Sequence, residues 1–220
     1  KVLKSLKPLS KKQVSEYTVR AQYSEKGDVG SYQSDIGNNN STTESYVAIC
    51  ANIDNWRWAG TPFYLRTGKR LKANMAEITF VFKQVPHSIF SHTQSSINPN
   101  AFVIRLQPNE GIDLEVMTKD PGLGGLRLRE TLLDTSQEIE GEQSKMPDAY
   151  ERLLLDVVRG DQTLFMRSDE VEAAWEWVDP IIEAWQESSE KPDQYDPLGQ
   201  GPESANELMQ SNGRQWRTIQ

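Results

Sequence analysis

The chain has 220 residues, a formal net charge of −8, 36% apolar residues and a single cysteine. That length can bury a sizeable core, and one domain over 1–220 is the simplest reading. The acidic balance argues against general attraction to nucleic acid or lipid, no run approaches a membrane span, and one cysteine allows neither an internal disulfide nor a thiolate metal cluster.

The chain begins with Lys, carries no signal-peptide pattern, and reads as a fragment or a processed product. Lys1 to Lys7 is short and stops at Pro8. Val14 to Tyr23 reads as a half-buried strand, with Val19, Ala21 and Tyr23 on one face and Arg20 and Gln22 on the other. Ser24 to Thr43 is polar and rich in Gly, Asn and Ser, so a long exposed loop is expected. Ser45 to Asn52 is evenly apolar, as in a central strand covered on both faces. Cys50 lies within it and reads as a buried structural thiol, which fits a reducing, cytoplasmic compartment.

The stretch Asp54-Asn-Trp-Arg-Trp-Ala-Gly-Thr-Pro-Phe-Tyr-Leu-Arg-Thr-Gly-Lys-Arg-Leu71 concentrates the chemistry. Trp56 and Trp58 alternate with Asn55 and Arg57, which in an extended chain puts both indoles on one face, as core or interface anchors. Pro62 breaks the run, and Phe63 to Arg66 resumes as a strand. Gly68 is expected to take positive φ and turn the chain, presenting Lys69 and Arg70 at the strand end. Arg57, Arg66, Lys69, Arg70 and Lys72 face only Asp54, so a local anion site stands beside the plainer reading of a solvated strand end.

Further strands are expected at Ala76–Phe82, Ala101–Gln107, Gly111–Thr118 and, with an ambiguous register, Leu126–Leu133. Pro108-Asn-Glu-Gly111 supplies turn residues, so the middle two form a hairpin. A loop over Pro86–Pro99 holds both histidines. After Pro147 the period changes: Tyr150, Leu153, Leu154, Val157 and Val158 mark a helix capped by Gly160. Val171, Ala174, Trp175, Val178, Ile181, Ile182 and Trp185 mark a second, with Ser168 as N-cap and Pro180 as a kink or division. From Ser188 the chain is polar, with Pro and Gly scattered through it, and is expected to wrap the surface or be partly disordered. The fold class is α+β, a large mostly antiparallel sheet with helices packed on one face.

The Asp54–Leu71 stretch resembles the C-terminal domain of glucose-6-phosphate dehydrogenases. So do Lys1-Val-Leu-Lys-Ser-Leu6, Val19-Arg-Ala-Gln-Tyr23, Ile104-Arg-Leu-Gln-Pro-Asn-Glu-Gly111, Asp148-Ala-Tyr-Glu-Arg-Leu-Leu-Leu-Asp156 and Asp169 to Pro180, in the family's order. The resemblance implies a chain that lacks the family's N-terminal Rossmann domain, and with it most of the NADP site and the catalytic base. Gly122-Leu-Gly-Gly125 agrees, since no third glycine or helix pattern follows it. His87 and His92 have no adjacent carboxylate to orient an imidazole, so no catalytic residue is expected here.

By resemblance, Lys69 matches the family's substrate-binding Lys, and Gln107 a glutamine that reaches the sugar in some members. Asn74 stands where a second basic residue is expected; either Lys72 substitutes for it or the anion is bound less strongly. Asp113, Glu115 and Asp120 occupy the strand near a second, structural NADP of some members, and carboxylates there would repel its phosphates. Partners implied are glucose 6-phosphate and a second copy of the chain, a homodimer through the sheet with a tetramer as the larger alternative; neither nucleic acid nor membrane is expected. The alternatives are a non-catalytic dimerisation module and a secretory hexose-6-phosphate dehydrogenase.

Overall fold

A computed structural model of the chain describes residues 1–85, 87, 97–108, 110–122, 127–134 and 149–220. They form two compact units, one built from residues 1–73 and 153–220 and the other from residues 74–152. His92, Leu123 to Gly125, Leu126, Asp148 and the turn residue Asn109 lie outside the described residues.

In the first unit Ser10 starts α1 (Lys11–Tyr17) with a reciprocal cap. Its hydroxyl accepts from the Gln13 backbone N–H, and the Gln13 side chain accepts from the Ser10 N–H at 3.0 Å. Thr18 returns to extended angles, and β1 (Thr18–Tyr23) follows. The strand expected from Val14 therefore begins at Thr18, because the cap upstream of Val14 commits that residue to a helix.

β1 is an inner strand of a four-stranded sheet with β2 (Tyr46–Asn52), β3 (Pro62–Gly68) and β8 (Asp193–Tyr195), in the order β3-β2-β1-β8. β2 runs antiparallel to both neighbours, and β8 joins β1 in parallel. Alternation gives this sheet two apolar faces. On one, Ala21, Tyr23, Tyr46, Ala48 and Tyr195 pack with Ala205 and Leu208 of α5 (Glu203–Gln210). On the other, Val47 and Ile49 meet Val14 of α1 and Ile181 and Trp185 of α4 (Ser168–Glu187). The Trp185 indole N–H donates to the Thr18 hydroxyl at 3.0 Å, which donates onward to the Val14 carbonyl at 2.6 Å, so this buried hydroxyl is satisfied. Cys50 is buried, as expected of a structural thiol, and burial pushes its pKa up.

Two expectations about the helices need correction. α4 is one helix through Pro180, which overturns the expected division at that residue, and Ile181 and Trp185 just beyond it are buried. Its N-cap is Arg167 rather than Ser168, and the Glu170 carboxylate accepts the Arg167 N–H at 3.2 Å. Residues 188–220, expected to wrap the surface or be partly disordered, supply β8 and α5 and bury Tyr195, Leu208, Met209 and Ile219. α3 (Ala149–Arg159) ends at Gly160, whose φ of 71° makes the left-handed cap read from the sequence.

The second unit is an antiparallel meander of β4 (Ala76–Val81), β5 (Ala101–Gln107), β6 (Gly111–Lys119) and β7 (Leu128–Asp134). Pairing of Ile104 with Ile112 and Arg105 with Gly111 makes the expected β5–β6 hairpin. One face carries the buried Ala101, Val103 and Asp113, and Arg105 donates to Asp113 at 3.1 Å and Asp134 at 3.0 Å. Across the opposite face run the rows Ile78–Ile104–Ile112 and Phe80–Phe102–Leu114–Leu133. Ile78, Phe80, Ile112 and Leu133 there are all exposed. The α+β class with mostly antiparallel strands is what the sequence implied. In detail the described strands divide into two sheets, and α5 adds a helix to the second face of one of them.

Candidate functional site

The stretch from Asp54 to Lys72 departs from its sequence reading at both ends. Asn55 to Gly60 is a turn, closed by the Trp58 N–H on the Asn55 side chain at 2.9 Å. Trp56 and Trp58 therefore share no strand face. Trp56 is 100% exposed, whereas Trp58 packs edge-on to Phe63 at 5.3 Å. The alternation of indoles was the misleading signal, and the Asn55 side-chain cap decides the conformation.

At the other end, Gly68 does not take positive φ. A Cβ at that position would lie 2.6 Å from Tyr46 Cδ2 and 3.0 Å from Leu71 Cδ1, so the glycine answers to close approach. The left-handed residue is Arg70, with φ 50°. Its carbonyl accepts from the Leu198 N–H at 2.7 Å, and its guanidinium donates to Asp35 Oδ2 at 2.8 Å and lies 5.2 Å above the Tyr23 ring. The Tyr23 hydroxyl donates to the same Asp35 oxygen at 2.9 Å. Asp35 ends a short helix, α2 (Tyr32–Asp35), which breaks the loop expected over Ser24–Thr43 and is capped by the Ser31 hydroxyl.

Lys69 is held through its main chain. Its N–H donates to the Ser45 carbonyl at 2.8 Å, and its carbonyl accepts from the buried Tyr195 hydroxyl at 2.7 Å. The Lys72 N–H donates to the Gly199 carbonyl at 2.9 Å. Burial raises the pKa of Tyr195, and it pushes the Tyr46 hydroxyl up to about 12, with the nearby Arg66 guanidinium opposing.

The five cations of the stretch thus differ in what they do. Arg66 donates to the Arg217 carbonyl and stacks on Trp216 at 4.8 Å, and Arg70 is taken up by Asp35. Among the described residues, the exposed Lys69 ammonium has no hydrogen-bond or ion-pair partner. Asn74 and Gln107 belong to the second unit, both exposed. Gln107 ends β5 opposite Ala76, two residues beyond Asn74, so these two lie at one end of the β4–β5 ladder. Lys69 belongs to the first unit. Asp35 and Tyr195 escaped the sequence reading, because nothing local to either marks a partner 35 or 126 residues away.

Among the described residues no cluster of His, Cys, Asp and Glu could hold a metal, and no helix is long and apolar enough to cross a membrane. His87 is exposed in a bend.

The family described as "Glucose-6-phosphate dehydrogenase, C-terminal domain" matches residues 1–217. The chain belongs to this family. It is 50% identical over 220 residues to the glucose-6-phosphate 1-dehydrogenase of Rhizobium meliloti (strain 1021), covering 98% of this chain and 45% of that protein. The same enzyme from Mycolicibacterium smegmatis is 48% identical, over 98% of this chain and 44% of the relative. The chain thus spans about half the length of the curated glucose-6-phosphate dehydrogenases it matches. A solved glucose-6-phosphate dehydrogenase in complex with its substrate glucose-6-phosphate superimposes with a TM-score of 0.83 at 30% identity, over 99% of this chain and 44% of that one. The enzyme from Mycobacterium avium gives 0.78 at 31%, over 100% of this chain and 43% of that one.

Proposed function

We propose that this chain is the substrate-binding and dimerisation part of a glucose-6-phosphate dehydrogenase. The complete enzyme would oxidise glucose 6-phosphate to 6-phosphogluconolactone while reducing NADP in the pentose phosphate pathway of the cytoplasm. The observation that carries this is Lys69: an exposed ammonium with no partner among the described residues, on a turn with a bonded main chain, in a chain half identical to enzymes of that name. A compact, solvated cation suits sugar hydroxyls or phosphate. Lys69 binds the sugar phosphate and Gln107 reaches a hydroxyl; at Asn74 either Lys72 substitutes for the basic residue expected there or the anion is held less strongly. The catalytic base and most of the NADP site belong to a Rossmann domain upstream, so this chain alone is inactive.

The experiment is an NADPH assay of the chain alone and of the chain joined to its upstream gene segment. Silence followed by restored activity is the expected result. In the joined protein, Lys69→Ala should raise KM for glucose 6-phosphate by about tenfold or more, the scale of one lost charge-assisted contact. An unchanged KM overturns the assignment of Lys69.

A second, compatible role is assembly. The exposed rows of Ile78, Phe80, Ile112 and Leu133 form an apolar sheet face of the kind that pairs with a second copy. A stable monomer at micromolar concentration by sedimentation would count against a homodimer. No second, structural NADP site is expected, because Asp113 and Asp134 already engage Arg105, and Arg66 is bonded to a carbonyl and stacked on Trp216. Saturable NADP binding by the chain alone would refute this.

A further inference from the structure

We propose that Asp35 and Tyr195 are positioning residues for Lys69, fixing the backbone from which its ammonium reaches the sugar phosphate; this rests on the reading of Lys69 given above. A lysine carries its charge on a flexible four-carbon stem, so the place of the ammonium depends on how firmly its Cα is set. Both main-chain polar groups of Lys69 are bonded, one of them by the Tyr195 hydroxyl at 2.7 Å. The next residue, Arg70, holds a left-handed φ of 50°, which a non-glycine residue keeps only when its surroundings impose it. Those surroundings are the Leu198 N–H on its carbonyl, the Asp35 carboxylate on its guanidinium and the Tyr23 ring beneath. Without Asp35 the turn can relax toward right-handed angles and swing the neighbouring lysine away.

Asp35 also sets the charge of the turn. Paired with Arg70, carboxylate and guanidinium cancel, which leaves Lys69 rather than Arg70 as the cation that meets the ligand from this turn. Removing Arg70 instead of Asp35 would leave a carboxylate one residue from the anion site, where it repels phosphate. Arg70→Ala should therefore raise KM more than Asp35→Ala, although an arginine beside a phosphate site would ordinarily be taken for a ligand.

The test measures KM and kcat for glucose 6-phosphate in the enzyme formed by this chain and its upstream segment. Asp35→Ala and Tyr195→Phe should each raise KM about three- to tenfold, with kcat falling by less than KM rises. Asp35→Glu, which keeps the charge, should recover part of the loss. In a Lys69→Ala background, Asp35→Ala should add nothing, because its effect runs through the lysine. Should Asp35→Ala fail to fold, Tyr195→Phe, which keeps the buried ring, carries the same comparison. An equal rise from Asp35→Ala with and without Lys69 overturns the proposal, since the effect would then be general to the fold. If Lys69→Ala raises KM but neither Asp35→Ala nor Tyr195→Phe does, positioning alone is refuted and Lys69 keeps its role. An unchanged KM in Lys69→Ala refutes both.

Discussion

In the sheet β3-β2-β1-β8 both faces meet helices, whereas among the described residues of β4-β5-β6-β7 the face carrying Phe80 and Leu133 leaves both of them exposed. Both sheets are written in the same apolar alternation. The difference lies in what the chain supplies to cover them. Around the first sheet, α1 and α4 close one side and α5 the other, so its stability is internal. Among the described residues the second buries Ala101 and Val103 on one side and leaves Ile78, Phe80, Ile112 and Leu133 exposed on the other.

The hardest way to break this comparison is a cavity in the first unit. Ile181 of α4 is 1% exposed and packs with Val14 of α1 and Trp185, so Ile181→Ala should cost about 2–5 kcal/mol by chemical denaturation. A loss below about 1 kcal/mol would mean that this core is looser than its packing implies.

A smaller effect comes from pH. Burial raises the Tyr46 hydroxyl from an ordinary 10.0 to about 12. Between those values the unfolded chain loses the proton while the folded chain keeps it, so the unfolded state binds fewer protons and stability falls as pH rises. The contribution is intact below pH 10 and should decline by about 2 kcal/mol on approaching pH 12. Tyr46→Phe should flatten that decline in thermal melts against pH, and an unchanged slope would assign it to other groups.

The smallest effect on folding, and the sharpest on assembly, belongs to the second sheet. Phe80→Asp should change monomer stability by about 0.5 kcal/mol or less, as for an exposed site, while shifting the chain to monomer in sedimentation. A large loss of folding stability would mean that Phe80 is covered within its own chain.

Legibility from sequence followed the range of the deciding contacts. β5 and β6 were legible because each face alternates residue by residue and Pro108 and Gly111 punctuate the turn. Gly160 was legible as a cap for the same local reason. Val14 was misread because the Ser10–Gln13 cap lies outside the window in which its β-branched side chain was judged. Gly68 and Arg70 were exchanged as the turn residue, since glycine permits positive φ without requiring it, and here Tyr46 and Leu71 lie too close for any side chain. Lys69 stands out in the sequence only through family resemblance, and the hydrogen bonds to its main chain could not be read there at all. Asp35, Tyr195 and Leu198 come from segments far apart in the chain, and only folding makes them neighbours.

The parallel pairing of Ala21 with Asp193 and Tyr23 with Tyr195 gives the first unit a late closing step. As the protein leaves the ribosome, β1 is made about 170 residues before its β8 edge partner, and residues 74–152 are synthesised in between. Until then one rim of the nascent sheet stands open and the ring of Tyr46 lacks its cover, which makes that interval the time when chaperones matter most.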